Sequence, residues 1–347
     1  MDSMMHATAP RVPESADEII RERKKRILSV KSLALFCLSA FLVYFLLNRL
    51  DIARTIEAFR GASFSLLGLS SLLYALSNLF RSIRFGVLLG DARVGGMDLF
   101  AITGYHNFFN QVLPARTGEL TFVYYLKRIG GVDISKGLHA LLVARVFDFI
   151  IVAAFFVCSI IIHYGWRTSM LLAGTGIFFF IVSIVSLFYL KWIVIASRVV
   201  FERAMRLVRL REKPLVKNVL SKVAEVEDEF AGFDTRRFIP ALAFTSLLVW
   251  SALYLFSYVT INAFGVDMNF MQSVAGATGA VLVNVLPINS FGSFGTLEAG
   301  WTGGFVLVGM SEQDAITTGL ASHILNIAAA AAIALVCAAA LRLRRKP

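Results

Sequence analysis

Apolar residues fill most of the chain in blocks separated by short polar stretches. Six of these blocks, at residues 32–50, 62–80, 137–162, 170–191, 238–264 and 315–341, are long enough to cross a hydrocarbon core of roughly 30 Å as helix rising about 1.5 Å per residue. Two further apolar regions, 97–130 and 271–309, are each divided by a proline with polar or glycine-rich sequence around it. Their halves hold about 14 to 16 residues, or roughly 22 Å of helix, too short to cross comfortably. Backbone N–H and C=O groups find no water in hydrocarbon, so a break at that depth survives only where it is packed in protein or lines a cavity. The pattern predicts an all-α polytopic membrane protein of eight apolar segments, six full spans and two re-entrant helical hairpins.

Composition agrees. Of 347 residues, 57% are hydrophobic and 16% charged, with a mean hydropathy of +0.72, whereas soluble domains carry about 25% charged residues. The formal net charge of +11 has to be placed relative to a bilayer before it suggests a partner. With the amino terminus inside, 29 of the 34 Lys and Arg fall on cytoplasmic segments, among them Arg81, Arg84 and Arg93 in an expected loop at 81–98 and eleven more in 191–237. Such a bias orients a membrane protein, so both termini are expected in the cytoplasm and no nucleic acid is needed to account for the charge.

The domain plan follows. Residues 1–30 form a polar cytoplasmic tail without the short basic and apolar pattern of a cleavable signal. Residues 31–341 form one transmembrane domain, and 342–347 a basic tail. A cytoplasmic amphipathic linker at 192–237 is basic at its start and acidic at its end, with Val219, Val223, Val226 and Phe230 at helical spacing. It either lies on the anionic leaflet or is a solvated helical connector. Cys37, Cys158 and Cys337 stand far apart in apolar runs, with no spacing that suits a disulfide or a metal.

The two interrupted regions resemble each other. NQVLPARTGE carries Asn110, Pro114 and Glu119, while NVLPINSFGSFGTLE carries Asn284, Pro287 and Glu298. Arg145-x-x-Asp148 begins 26 residues after Glu119, and His323-x-x-Asn326 begins 25 after Glu298. Each half, 31–163 and 170–341, therefore reads span, span, hairpin, span. Three crossings is an odd number, so the halves enter the membrane in opposite senses, as in inverted-topology transporters with sites where discontinuous helices meet.

The break itself suggests chemistry. Pro114 ends one helix and suits the first turn of the next, directing unpaired N–H groups and the positive end of a helix dipole into the protein, a natural anion site. Arg116 adds a planar cation matched to phosphate, and Glu119 either pairs with it or carries a proton. Ser290, Gly292, Ser293, Gly295 and Thr296 form a loop whose N–H groups can cradle a phosphate. Other roles fit the same residues: Arg116 and Glu119 neutralising each other, Arg145 and Asp148 as an intrahelical pair that locks the bundle, and the polar face of Thr103, His106, Asn107, Asn110 and Gln111 as interhelical glue. Glu298 has no basic neighbour in sequence, so it is neutral or wet unless the fold supplies a cation.

NQVLPARTGEL, AxxVARVFD and NVLPI with its glycine-rich loop and Gly-x-x-Glu together resemble the lysylphosphatidylglycerol synthase transmembrane family, also called flippase-like. The resemblance covers nearly the whole chain after residue 30. It implies a multi-pass protein of the cytoplasmic (inner) membrane of a bacterium or archaeon, associated with translocation of lipids or lipid-linked glycans. Pro114, Arg116, Gly118 and Glu119 match its first motif, Arg145 and Asp148 the following span, and Pro287, Gly292, Gly295 and Glu298 the second motif. The chain departs from the family at Ala144, where an acidic residue is common, at His323, where an arginine is common, and at SFGSFG in place of a Pro-Gly-Gly turn. Only RLRRKP follows the last span, so a stand-alone member without the aminoacyl-transferase domain is expected.

The leading expectation is a lipid transporter rather than an enzyme, with no cofactor and no metal. It binds an anionic phospholipid or a polyprenyl-phosphate-linked glycan at Asn110, Asn284, Asn326 and the motif residues, with Glu119, Asp148, Glu298 or His323 as candidate proton carriers. The alternative is a non-transporting scaffold for partners in envelope biosynthesis. A membrane-embedded lipid-phosphate transferase is less favoured, because the intramembrane acids stand singly rather than in the pairs that hold a divalent metal.

Overall fold

The computed structural model describes residues 51–344 apart from 91, 93, 114–116, 166–169, 233–234 and 286–290, together with Cys37, Ala40, Phe41, Tyr44 and Asn48. Among the described residues there is no strand. From residue 51 onward they form α1 (Ile52–Gly61), α2 (Phe64–Leu89), α3 (Gly96–Val112), α4 (Glu119–Gly130), α5 (Ile134–Tyr164), α6 (Met170–Leu207), α7 (Pro214–Gly232), α8 (Thr235–Ala263), α9 (Phe270–Val285), a 3-10 turn at Phe291–Ser293, α10 (Thr296–Leu307) and α11 (Glu312–Arg344).

Five of these helices contain stretches long and apolar enough to cross a membrane: Phe64–Leu89, Ile134–His163, Ala173–Leu207, Arg237–Ala263 and Glu312–Arg344. They match five of the six expected spans. The sixth, 32–50, lies outside the described residues except for five positions, which are helical and exposed. Along α6, Phe178, Phe179, Val185, Phe188 and Trp192 are all exposed, a continuous apolar face of the kind that a bilayer covers. The protein is a multi-pass helical membrane protein.

Two expected boundaries move. Helix α2 does not stop at residue 80 but runs to Leu89, and Gly90 ends it with φ 55°. Arg81 and Arg84, counted above with a cytoplasmic loop, therefore sit on a helix in the bundle, where polar partners hold them. Helix α6 likewise continues past residue 192 to Leu207. The amphipathic stretch after it folds as α7 and packs on α5 and α6. Val216 and Val226 are buried, Phe230 meets the His139 ring edge-on at 4.4 Å, and Arg198 Nε donates to Glu227 Oε1 at 2.6 Å.

Both interrupted regions fold as pairs of short helices. α3 and α4 hold 17 and 12 residues, α9 and α10 hold 16 and 12; the longest is about 25 Å, short of a full crossing. In the first pair α4 starts flush against the end of α3. A Cβ at Gly118 would collide with the backbone of Phe109 and Asn110, so only glycine permits that approach. The first turn of α4 carries Glu119, and its last carries Lys127 and Arg128 ahead of Gly131, whose N–H closes on the carbonyls of Leu126 and Lys127. In the second pair α9 and α10 interlock through glycines: a Cβ at Gly279 would lie 2.6 Å from the Gly300 carbonyl oxygen.

The long helices frame these pairs. α2 and α8 run antiparallel and touch at Ser70–Thr260, Tyr74–Phe256 and Arg84–Ser246. Each pair of residue numbers adds to 330, so the contact keeps one register, with midpoints at residues 77 and 253. α5 packs on α9, and α11 packs on α3. α4 leans on α5 as α10 leans on α11.

The α9–α10 contact yields a test. Gly279→Ala is expected to cost about 1–3 kcal/mol through overpacking against backbone that cannot yield, lowering the thermal midpoint in detergent by several degrees. Gly303→Ala, whose Cβ meets nothing within 4 Å, is expected to leave it unchanged or slightly raised.

Candidate functional site

α2, α3, α5, α8, α9, α10 and α11 converge on a cavity of about 190 Å³. Its charges are arranged around Asp148. Arg84 Nη1 donates to Asp148 Oδ1 at 2.6 Å and to Ser246 Oγ at 2.9 Å, while its Nη2 lies 3.4 Å from Asp148 Oδ2. The Trp250 indole N–H donates to Asp148 Oδ1 at 2.8 Å. Arg145, one helical turn before Asp148, approaches its Oδ2 at 3.6 Å but makes its closer contact with Glu119 Oε1, at 2.8 Å. Glu119 is the first residue of α4, so this ion pair fastens the start of α4 to α5.

Amides form the neighbouring wall. Arg81 Nη1 donates to Asn107 Oδ1 at 2.8 Å, and Asn107 Nδ2 passes the contact on to Asn78 Oδ1 at 2.7 Å. Gln111 Nε2 donates to Asn326 Oδ1, which joins α3 to α11. Asn110 lines the cavity, and its Oδ1 is buried without a partner among the described residues.

Of the residues expected at the site, Asn110, Arg145, Asp148, Asn284, Ser293 and Asn326 line this cavity. Gly118 is buried against α3, and Glu119 joins through Arg145. Pro114, Arg116, Pro287 and Ser290 lie outside the described residues.

Around Ser293, the remaining described residues of the second motif, Gly292, Gly295, Thr296 and Glu298, are not at the cavity lining but form a closed turn beside it. Gly292, Ser293 and Gly295 have φ of 68°, 55° and 82°. The Gly295 N–H donates to Glu298 Oε2 at 2.8 Å, and Thr296 Oγ1 donates to the Ser293 carbonyl at 2.9 Å. That N–H, expected to cradle a phosphate, is taken by the protein's own carboxylate. The other oxygen of Glu298 lies 2.6 Å from His323 Nδ1, both residues being almost fully buried. The fold thus supplies the partner that Glu298 lacks in sequence.

Sequence reasoning did not place Tyr74, Arg81, Arg84, Trp250 or Tyr254 at the site, yet all line the cavity. A signal was present for α2. Tyr74, Ser77, Asn78, Arg81 and Arg84 recur at three- and four-residue steps, a polar stripe continuing an apolar run. Trp250 and Tyr254, inside an apolar span, offered none. Among the described residues, His, Cys, Asp and Glu nowhere gather in threes that could hold a metal ion.

Known proteins share this chain's pattern. Residues 30–339 match the family model described as lysylphosphatidylglycerol synthase TM region. A UPF0104 membrane protein of Methanothermobacter thermautotrophicus is 25% identical over 344 residues, covering 93% of this chain and 95% of the relative.

The Arg84–Asp148 pair makes a sharp test, since each side chain is nearly sealed, at 3% and 10% exposure. Asp148→Leu leaves a guanidinium unpaired in the bundle and is expected to cost about 3–5 kcal/mol, read as a fall in thermal midpoint in detergent. Adding Arg84→Met removes the stranded charge and is expected to restore much of the loss.

Proposed function

We propose, from the premise that the chain belongs to the lysylphosphatidylglycerol synthase TM region family, that it is a lipid transporter of the cytoplasmic membrane with both termini inside. An amphiphile with an anionic phosphate head enters the central cavity and passes between leaflets as the two helix pairs rearrange. The observation that carries this reading is a cavity lined by three arginines and five side-chain amides inside a bundle whose outer faces are apolar. Ionisable groups at such depth are costly and characteristically mark a pathway or a binding site.

The packing supports an inverted repeat. The α2–α8 contacts run from 70 to 84 on one helix and 246 to 260 on the other, with midpoints at residues 77 and 253, which are 176 apart, and the motifs repeat at nearly the same offset, 174 from Asn110 to Asn284 and 173 from Pro114 to Pro287. The contacts of α5 with α9 and of α11 with α3 are then one contact seen twice. The spacing from acid to basic side chain also recurs as a bond in both halves, Glu119 to Arg145 and Glu298 to His323. Inverted repeats of this kind place substrate where discontinuous helices meet, and here both short-helix pairs border the cavity.

The scaffold alternative draws on one feature. Leu207, Val208 and Leu215 are exposed at the elbow between α6 and α7, an apolar tip that a partner protein can cover.

Reconstitution separates the two. In proteoliposomes containing phosphatidylglycerol with a labelled tracer, the wild-type protein is expected to speed leaflet exchange, and Arg145→Gln is expected to slow it at least tenfold, about 1.4 kcal/mol. Equal exchange with and without protein, across anionic head groups, together with loss of cellular function in Leu207→Ser and Leu215→Ser, would overturn transport in favour of the scaffold.

A further inference from the structure

Building on the lipid-binding reading above, we infer that the cavity selects a phosphate monoanion bearing an uncharged, hydroxyl-rich substituent, that Arg81 anchors the phosphate, and that a cationic aminoacylated head is rejected. Arg81 differs from its neighbours. Arg84 and Arg145 each face a carboxylate within 2.8 Å, whereas Arg81 bonds only to the Asn107 carboxamide oxygen among the described residues. A guanidinium has five N–H donors, so most of Arg81's are left over, and its open surface is cavity wall. A planar fork of this kind matches two phosphate oxygens at once.

The two nearby carboxylates are already engaged. Glu119 meets Arg145, and Asp148 meets Arg84 and Arg145. Three guanidinium groups against two carboxylates leave one positive charge over at the described site, which one phosphate negative charge neutralises. An ammonium group would bring a further positive charge to a place where both acids are occupied.

The rest of the wall suits hydroxyls. Asn107, Asn110, Gln111 and Asn326 line one cavity, and the buried Asn110 Oδ1 has no partner among the described residues. A hydroxyl donates to that oxygen, and would serve equally if the amide were turned round, because it both donates and accepts. The rings of Trp250 and Trp301 also line the space, offering flat apolar surface to the C–H face of a polyol. At about 190 Å³ the cavity is smaller than the roughly 300–1,000 Å³ pockets that enclose drug-sized ligands. It admits a head group and leaves acyl or prenyl chains outside.

The test is binding of short-chain lipids to the purified full-length protein in detergent, followed by native mass spectrometry and by thermal stabilisation. The probes are dihexanoyl phosphatidylglycerol, phosphatidylinositol, phosphatidic acid, phosphatidylcholine and lysyl-phosphatidylglycerol, with glycerol 3-phosphate and inorganic phosphate as soluble controls. Phosphatidylglycerol and phosphatidylinositol are expected to bind at least tenfold tighter than phosphatidylcholine and lysyl-phosphatidylglycerol, and tighter than either soluble anion. Arg81→Gln is expected to remove that preference, and Arg81→Lys to restore part of it. Should Arg81→Gln fail to fold, Asn110→Ala decides: it is expected to weaken the polyol lipids and to leave phosphatidic acid unchanged. Lysyl-phosphatidylglycerol binding as tightly as phosphatidylglycerol, or full phosphatidylglycerol affinity in Arg81→Gln, overturns the head-group inference while the lipid reading stands. Soluble anions binding as tightly as every lipid, or no lipid binding at all, overturns the lipid reading itself.

Discussion

A carboxylate withdrawn from water must meet positive charge and hydrogen-bond donors or lose its own charge, and much of this bundle is organised by how Asp148 meets that demand. Its two oxygens receive a guanidinium from α2, an indole from α8 and a second guanidinium from its own helix, and that second guanidinium reaches on to the first residue of α4. One acid therefore fixes α5 against α2 and α8 and, through Arg145, is linked to the start of α4. Apolar packing in lipid has little directional preference, because tails and side chains are equally greasy. The polar contacts are what give these helices a defined register.

A buried ion pair is a weak source of stability compared with well-packed apolar residues. Its retention here makes sense as geometry. The Arg84 head bonds Asp148 and Ser246, which holds α2 at the height where Arg81, one turn earlier, opens onto the cavity. The glycines serve the same end by a different route. Gly118 lets α4 start against the backbone of α3, and Gly279 lets α9 and α10 approach until only hydrogen atoms fit between them.

The long apolar helices were legible in sequence because crossing a bilayer demands a length and a composition that few other structures need. The spacings of 26 residues from Glu119 to Arg145 and 25 from Glu298 to His323 were legible too, and both turn out to be bonded pairs. Depth was not legible. The charge bias that orients a chain counts Arg81 and Arg84 as cytoplasmic, since a span ordinarily stops at its first arginine; what carries the helix on to Leu89 is a set of partners on α3, α5 and α8, far away in sequence. Trp250 was invisible for the same reason: an indole in an apolar span reads as lipid contact until the carboxylate it serves is placed beside it. At Gly295 the N–H expected to cradle a phosphate donates instead to Glu298, three residues on, a contact that the spacing alone did not reveal.

The two halves hold their acids in different surroundings. Glu119 and Arg145 are each 27% exposed, and Arg145 faces the cavity; Glu298 and His323 are 5% and 0% exposed and bonded away from it. In the inverted-repeat reading these are equivalent positions in one protein, so equivalence of sequence pattern coexists with inequivalence of environment. Transporters of that class move one repeat against the other around a fixed site, and on the transport proposal a helix-pair base open to the cavity in one half and closed in the other is the kind of asymmetry such motion passes through. The residues present fit that division of labour. The open base carries arginine, a cation that stays charged beside water and ligand alike, while the closed base carries histidine, whose Nδ1 meets Glu298 and whose ring lies 4.6 Å from that of Phe294.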